Sequence, residues 1–245
     1  LDFPLPKTLT SIVLPSAAAR LDAARARILE IDPPILVIAA TRAAADEFAF
    51  SIANTKGATF GITRSSVAEL VARLAVPALA RQGLTPSAPL SDEAVSARVT
   101  HELMTDESLK YFAPVAEMPG FPRALSRTLA ELRMAALDPS RLSGHKANDD
   151  LSALLERAIE ERQRAGAVDY ATMLATATTE LQSNRASLGD KTVFLLDIAI
   201  GSKSEAAFIK ALIGAAKNVI ATMPSGDAST LEHLALSPYA PDAQY

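Results

Sequence analysis

Asp197 is the side chain on which chemistry would most naturally turn. It closes an apolar run, Thr192-Val193-Phe194-Leu195-Leu196, of the kind that forms a strand buried on both faces. A carboxylate at such a strand end is where a P-loop ATPase holds Mg²⁺. The matching phosphate cradle would lie in the turn after the first strand, Pro15-Ser16-Ala17-Ala18-Ala19-Arg20. A P-loop needs G-x-x-x-x-G-K-[ST], because only glycine lets backbone close on phosphate and the lysine supplies the charge. No glycine precedes Gly57 and no lysine lies between Lys7 and Lys56. Phosphate at Ser16 would rely on a helix dipole and Arg20, poor compensation for what is missing. Ser16, Arg20 and Asp197 are therefore read as a vestigial nucleotide site, with Asp197 a residual structural acid. Gly201-Ser202-Lys203-Ser204 offers no substitute. Aligned on Lys203, the required glycines fall on Ser202 and Asp197, and Ser202 with Glu205 forms an ordinary helix cap.

Other chemistries find less. The chain has no cysteine, which removes thiolate nucleophiles and cysteine-based zinc sites, and its three histidines, His101, His145 and His233, are isolated in sequence. Asp149-Asp150 and Glu160-Glu161 lack a matching histidine and read as a helix cap and a solvated face. No G-x-S-x-G elbow is present. No catalytic or metal-ligating residue is assigned. A net charge of −4 gives no basic footprint for tight autonomous binding of nucleic acid, leaving weak or partner-assisted binding open. No apolar run approaches the ~20 residues of a membrane span, and Leu1-Asp2-Phe3-Pro4 lacks a signal-peptide layout. A cytoplasmic protein without membrane contact is expected.

The elements that must position these residues follow a strand–helix rhythm. Thr8 to Leu14 reads as a strand, followed by a helix from about Ala17 to Ile31 that Pro33-Pro34 stops. Ile35 to Ala40 is a buried strand, and Thr41 caps a helix carrying Ala44, Phe48 and Ile52 that ends near Gly57. Thr59 to Thr63 is a second β-like run. It leads to the capping box Ser66-x-x-Glu69, with Val67, Leu70, Val71 and Leu74 on one helical face. Such crossovers make parallel neighbours. From Pro77 to about Ser187 only helical periods are found, including one introduced by Asn148-Asp149-Asp150 after a polar loop over 143–148. Strand patterns return at Thr192 to Leu196 and Asn218 to Met223. The expected fold is α/β, a parallel doubly wound, RecA-like (P-loop NTPase-like) sheet from 1–76 and 188–228. An all-helical subdomain is inserted over 77–187, and 229–245 is a tail or boundary to a further C-terminal region.

The series Ile35-Leu36-Val37-Ile38-Ala39-Ala40-Thr41-Arg42, Phe60-Gly61-Ile62-Thr63-Arg64-Ser65-Ser66 and Phe194-Leu195-Leu196-Asp197, with a lysine-less P-loop turn and a helical insertion, resembles the N-terminal helicase-like region of superfamily 1 (UvrD/Rep type) proteins. More narrowly, it resembles the AddB/RexB subunit of bacterial helicase–nuclease complexes and related chains that end in a PD-(D/E)XK nuclease. The resemblance implies that turns at Thr41-Arg42 and Thr63-Arg64-Ser65 line a DNA path, single-stranded or duplex. It also implies an AddA-like helicase–nuclease partner subunit. Departures from the pattern matter equally. The phosphate-binding glycines and lysine are gone, and Ile198 stands where the water-polarising glutamate would follow Asp197. The implied state is a helicase fold that has lost ATP and Mg²⁺ binding, non-catalytic in itself within a helicase–nuclease. Thr41 and Ser66 read equally as plain helix caps with solvated arginines beside them. Two other functions stay open: an active ATPase lobe with an atypical phosphate site, and a generic α/β ligand-binding domain with a helical cap.

Overall fold

The computed structural model describes residues 8–142, 144–184 and 188–234. The chain divides into two compact units, one built from the segments up to Ala75 and from Ala177 onward, the other from Val76–Thr176.

The first unit is organised on a five-stranded parallel sheet in the order β1-β7-β6-β2-β3. Its strands are β1 (Thr8–Leu14), β2 (Ile35–Ala39), β3 (Ile62–Ser66), β6 (Thr192–Leu196) and β7 (Asn218–Pro224). Every residue of β2 and β6 is buried, as continuous apolar runs with covered faces require. One face receives α1 (Ala17–Leu29) and α2 (Arg42–Lys56): Ala24, Ile28, Ala45, Phe48 and Ile52 pack on Ile35, Val37, Ala39, Phe194, Leu196 and Ile220. The alternate residues of the same strands point away from these helices. On that side Leu195, Ala221 and Met223 meet Ile209 of α9 (Lys203–Ala215) around a small apolar cavity.

Local chemistry fixes the joints between elements. Ser16, Thr41 and Ser202 each accept a hydrogen bond from a backbone N–H three residues on, capping α1, α2 and α9. The Ser66/Glu69 capping box is reciprocal, with Glu69 N–H donating to Ser66 Oγ (3.1 Å) and Ser66 N–H to Glu69 Oε2 (2.9 Å). It opens α3 (Val67–Arg81). The strand expected from Thr59 starts three residues later, at Ile62. The Gly61 carbonyl accepts from Ile35 N–H (2.9 Å), and Gly61 has a φ of +78°. A Cβ there would lie 2.6 Å from that of Pro33, so the chain must still turn at this point and only glycine fits. Phe60 is left 87 % exposed.

The second unit is a helical cluster. Val99 and Leu103 of α4 (Pro89–Thr105), Ala116 of α5 (Ala113–Ala116), Leu125 and Leu129 of α6 (Phe121–Met134), and Leu154, Leu155 and Ala158 of α7 (Lys146–Arg164) share one core with Leu109. α8 (Tyr170–Ser183) and α3 carry the chain across the boundaries between the units. This region holds one feature not expected there: β4 (Thr85–Pro86) pairs parallel with β5 (Ala167–Val168). Two-residue strands are too short to leave a period-two pattern in sequence.

The acids of α7 also depart from expectation. The cap is His145, whose Nδ1 accepts from Ala147 N–H (3.2 Å), so Asn148 lies inside the helix, while Asp149 is a first-turn acid as the sequence suggests. Asp150 is buried and accepts the backbone N–H groups of Lys110, Tyr111 (2.8 Å) and Phe112 (2.9 Å), pinning the loop before α5. Glu160 is exposed, whereas Glu161 is buried between Arg98 (2.9 Å) and Arg164 (2.7 Å). A short helix α10 (Ala228–His233) follows Asp227; Ser143, Ser187 and the segment with Pro238 and Pro241 lie outside the described residues. No helix among the described residues is long and apolar enough to cross a membrane.

Candidate functional site

The carboxyl ends of the parallel strands form the edge where α/β sheets bind ligands. Ser16, Arg20, Asp197, Thr41 and Arg42 come to this edge, while Thr63, Arg64 and Ser65 lie along β3; together they form two groups.

The first group joins β1, β6 and β7. In the sheet order β7 separates β1 from β6, so the turn after β1 and the acid after β6 face each other across one strand. Arg20, in the first turn of α1, reaches over that strand. Its Nε lies 3.0 and 3.1 Å from the two carboxylate oxygens of Asp197, and its Nη2 lies 3.0 Å from Oδ2. Nη1 donates to the carbonyls of Leu14 (2.8 Å) and Pro15 (3.0 Å). A guanidinium has five N–H donors, and one on Nε, two on Nη1 and one on Nη2 are engaged here. Asp197 is held just as closely. Its backbone N–H donates to Thr222 Oγ1 (2.9 Å), and that hydroxyl donates to Asp197 Oδ1 (2.8 Å). The residue takes a left-handed backbone (φ +46°), which aspartate tolerates better than most. The Arg20 side chain is 7 % exposed and that of Asp197 30 %.

Arg20 is thus engaged with protein on most of its donors. The groups around its guanidinium are all oxygens, a carboxylate and two carbonyls, which suit a cation and repel a phosphate. Ser16 is committed to capping, and Ile198 is buried. A magnesium–triphosphate group does not fit this donor set. No cluster of three or more metal-ligating side chains exists among the described residues.

The second group lies at the end of β2 and along β3. Thr41 is exposed but its hydroxyl oxygen caps α2 (3.2 Å to Ala44 N–H). Arg42 bonds to both oxygens of Asp46 (3.0 and 3.2 Å) and comes within 3.7 Å of Glu69; Arg64 lies 3.4 Å from Asp46. The hydrogen bond to Asp46 raises the Arg42 pKa above its ordinary value, and the charges of Asp46 and Glu69 add to it. Thr63, Arg64 and Ser65 were expected in a turn but lie within β3. Period-two alternation therefore puts Arg64 on one face and Thr63 with Ser65 on the other. Ser65 is buried and donates to the Ser66 carbonyl (2.9 Å), and Thr63 is half-buried. Thr41, Arg42 and Arg64 are left as the accessible members.

Sequence reasoning missed the acids. Arg42 and Asp46 stand four apart, the spacing of a helical ion pair, so that contact was available to be read. The approach of Arg64 depends on β3 register and left no trace. No protein-family model and no curated protein matches the chain.

Proposed function

We propose that this chain is an inactivated helicase-like domain of a DNA repair or recombination protein. In this reading its first unit is a RecA-like lobe that contacts DNA and partner subunits without binding or hydrolysing ATP. The observation that carries the reading is the Arg20–Asp197 pair. At the strand ends where a motor of this type would grip a triphosphate, an internal guanidinium consumes the acid and faces only oxygen acceptors. The parallel sheet, with the acid one strand away from the first turn, supports the same assignment. DNA contact is assigned to Thr41, Arg42 and Arg64, exposed at the other end of the same edge. An AddA-like helicase–nuclease subunit is the expected partner.

Thermal shift with Mg-ATP tests the nucleotide half. A ligand at about a hundred times its Kd stabilises by about 2.7 kcal/mol, which in a chain of this size moves Tm by about 5–10 °C. No shift with millimolar Mg-ATP is expected. A saturable shift accompanied by phosphate release would overturn the reading in favour of an active lobe.

A further inference from the structure

Two arginines from different elements converge on one carboxylate. Arg42, from the first turn of α2, and Arg64, from β3, place their Nε atoms 3.0 and 3.4 Å from the same oxygen, Asp46 Oδ1. All three side chains are between two-fifths and half exposed. Asp46 thus holds between two guanidinium groups the charge and donor partners that one phosphodiester would take. The other acid near Arg42 has separate work, since Glu69 accepts Ser66 N–H in the capping box. The cap of α2 is supplied by Thr41, so Asp46 is not needed to start its helix.

We infer that Asp46 is a built-in competitor for the DNA backbone, gating the Arg42–Arg64 pair so that single-stranded DNA binds only by displacing it. This rests on the reading of Arg42 and Arg64 as DNA contacts. Exposed ion pairs are weak and screened by salt, so a polyanion can break this one. With two arginines against Asp46 and Glu69 the cluster is neutral, and the isolated chain, at net −4, binds DNA feebly. Removing the Asp46 charge gives the cluster a net positive charge without touching a phosphate-contacting group.

The test is anisotropy of a fluorescein-labelled oligothymidylate of about 15 nucleotides, titrated with wild type, D46N, D46S, E47Q and an R42A/R64A double variant over a range of salt. D46N and D46S bind about fivefold tighter than wild type at low salt. Their salt dependence steepens by about 0.7 for each phosphate newly contacted. E47Q changes net charge equally at the next, exposed residue and gives much less. Adding D46N to R42A/R64A restores nothing. If E47Q matches D46N, or if D46N binds no tighter while R42A/R64A still weakens wild type, the gate is overturned and the DNA contact stands. If arginine removal affects neither wild type nor D46N, the DNA reading falls and the gate with it.

Discussion

The carboxyl ends of β1 and β6 and those of β2 and β3 use the same two residue types to opposite effect. Arg20 and Asp197 close a contact in which most of the guanidinium donors are satisfied by protein. Arg42 and Arg64 share Asp46 in the open, with side chains nearly half exposed. Burial separates a fastener from a reversible contact. Water and salt weaken the exposed pairs to roughly 0–1 kcal/mol, whereas a buried pair cannot lose one member without stranding the other charge.

The largest expected effect tests the fastener. R20A leaves the Asp197 carboxylate without its guanidinium and should lower stability by about 3 kcal/mol, or roughly 6–12 °C in Tm. R20K should restore little, because an ammonium cannot reproduce the fork that spans a carboxylate and two carbonyls. The double variant R20A/D197N should be more stable than R20A alone, since it removes the stranded charge along with its partner. Chemical denaturation of wild type, R20A, D197N and R20A/D197N as a double-mutant cycle gives the coupling energy. An R20A protein within about 0.5 kcal/mol of wild type would erase the distinction between the two strand ends.

A third pair, about as buried as Arg20–Asp197, sharpens the comparison through pH. Arg133 and Asp169 of the second unit have side chains 27 % and 12 % exposed and meet at 2.7 Å, with Thr172 bonded to both. Burial pushes the Asp169 pKa up, but the hydrogen bond and charge of Arg133, together with the Thr172 hydroxyl and N–H, more than offset this and hold it below the ordinary carboxylate value. A folded-state pKa below the unfolded value of about 3.9 means that the unfolded chain binds the extra proton. The stabilisation is therefore complete above the unfolded value and is lost as pH falls through the folded one. D169N should flatten that acid limb of a stability–pH curve measured by denaturation, and R133A should weaken it. An unchanged limb in D169N would show that the pair adds nothing beyond a surface contact.

What was legible depended on sequence distance. Ile35 to Ala39, the Ser66/Glu69 and Ser202/Glu205 caps, and Asp197 at a strand end are written within a few residues, and local periodicity and hydrogen-bond chemistry suffice to read them. The Arg20–Asp197 contact joins residues 177 apart, and no spacing rule connects them. Once the two were suspected of sharing a site, their opposite charges were a usable sign. β3 was misplaced because Phe60 looks like a strand residue, while the positive φ of Gly61 shows the chain still turning there. His145 as a cap and Asp150 as a buried acceptor were missed for a related reason. Three consecutive polar residues, Asn148-Asp149-Asp150, imitate a cap, whereas the real partners of Asp150 are backbone amides about forty residues earlier that carry no side-chain signature.

The smallest effect belongs to Arg64 and is informative because it is small. Its contact with Asp46 is long, 3.4 Å, and exposed, so R64A should leave Tm within about 1 °C of wild type. The same substitution should weaken oligothymidylate binding and lower the salt slope by about 0.7, one phosphate contact on a single strand. T63A and S65A, on the opposite face of β3, should leave the slope unchanged, because neither side chain carries charge and Ser65 is buried against its own backbone. If T63A weakened binding as R64A does, contact would not be confined to the Arg64 face of the edge strand β3, and the assignment of the DNA path to that face would fall. A change in slope without a change in Tm for R64A, set against a large change in Tm for R20A, would place affinity at one end of the sheet edge and stability at the other.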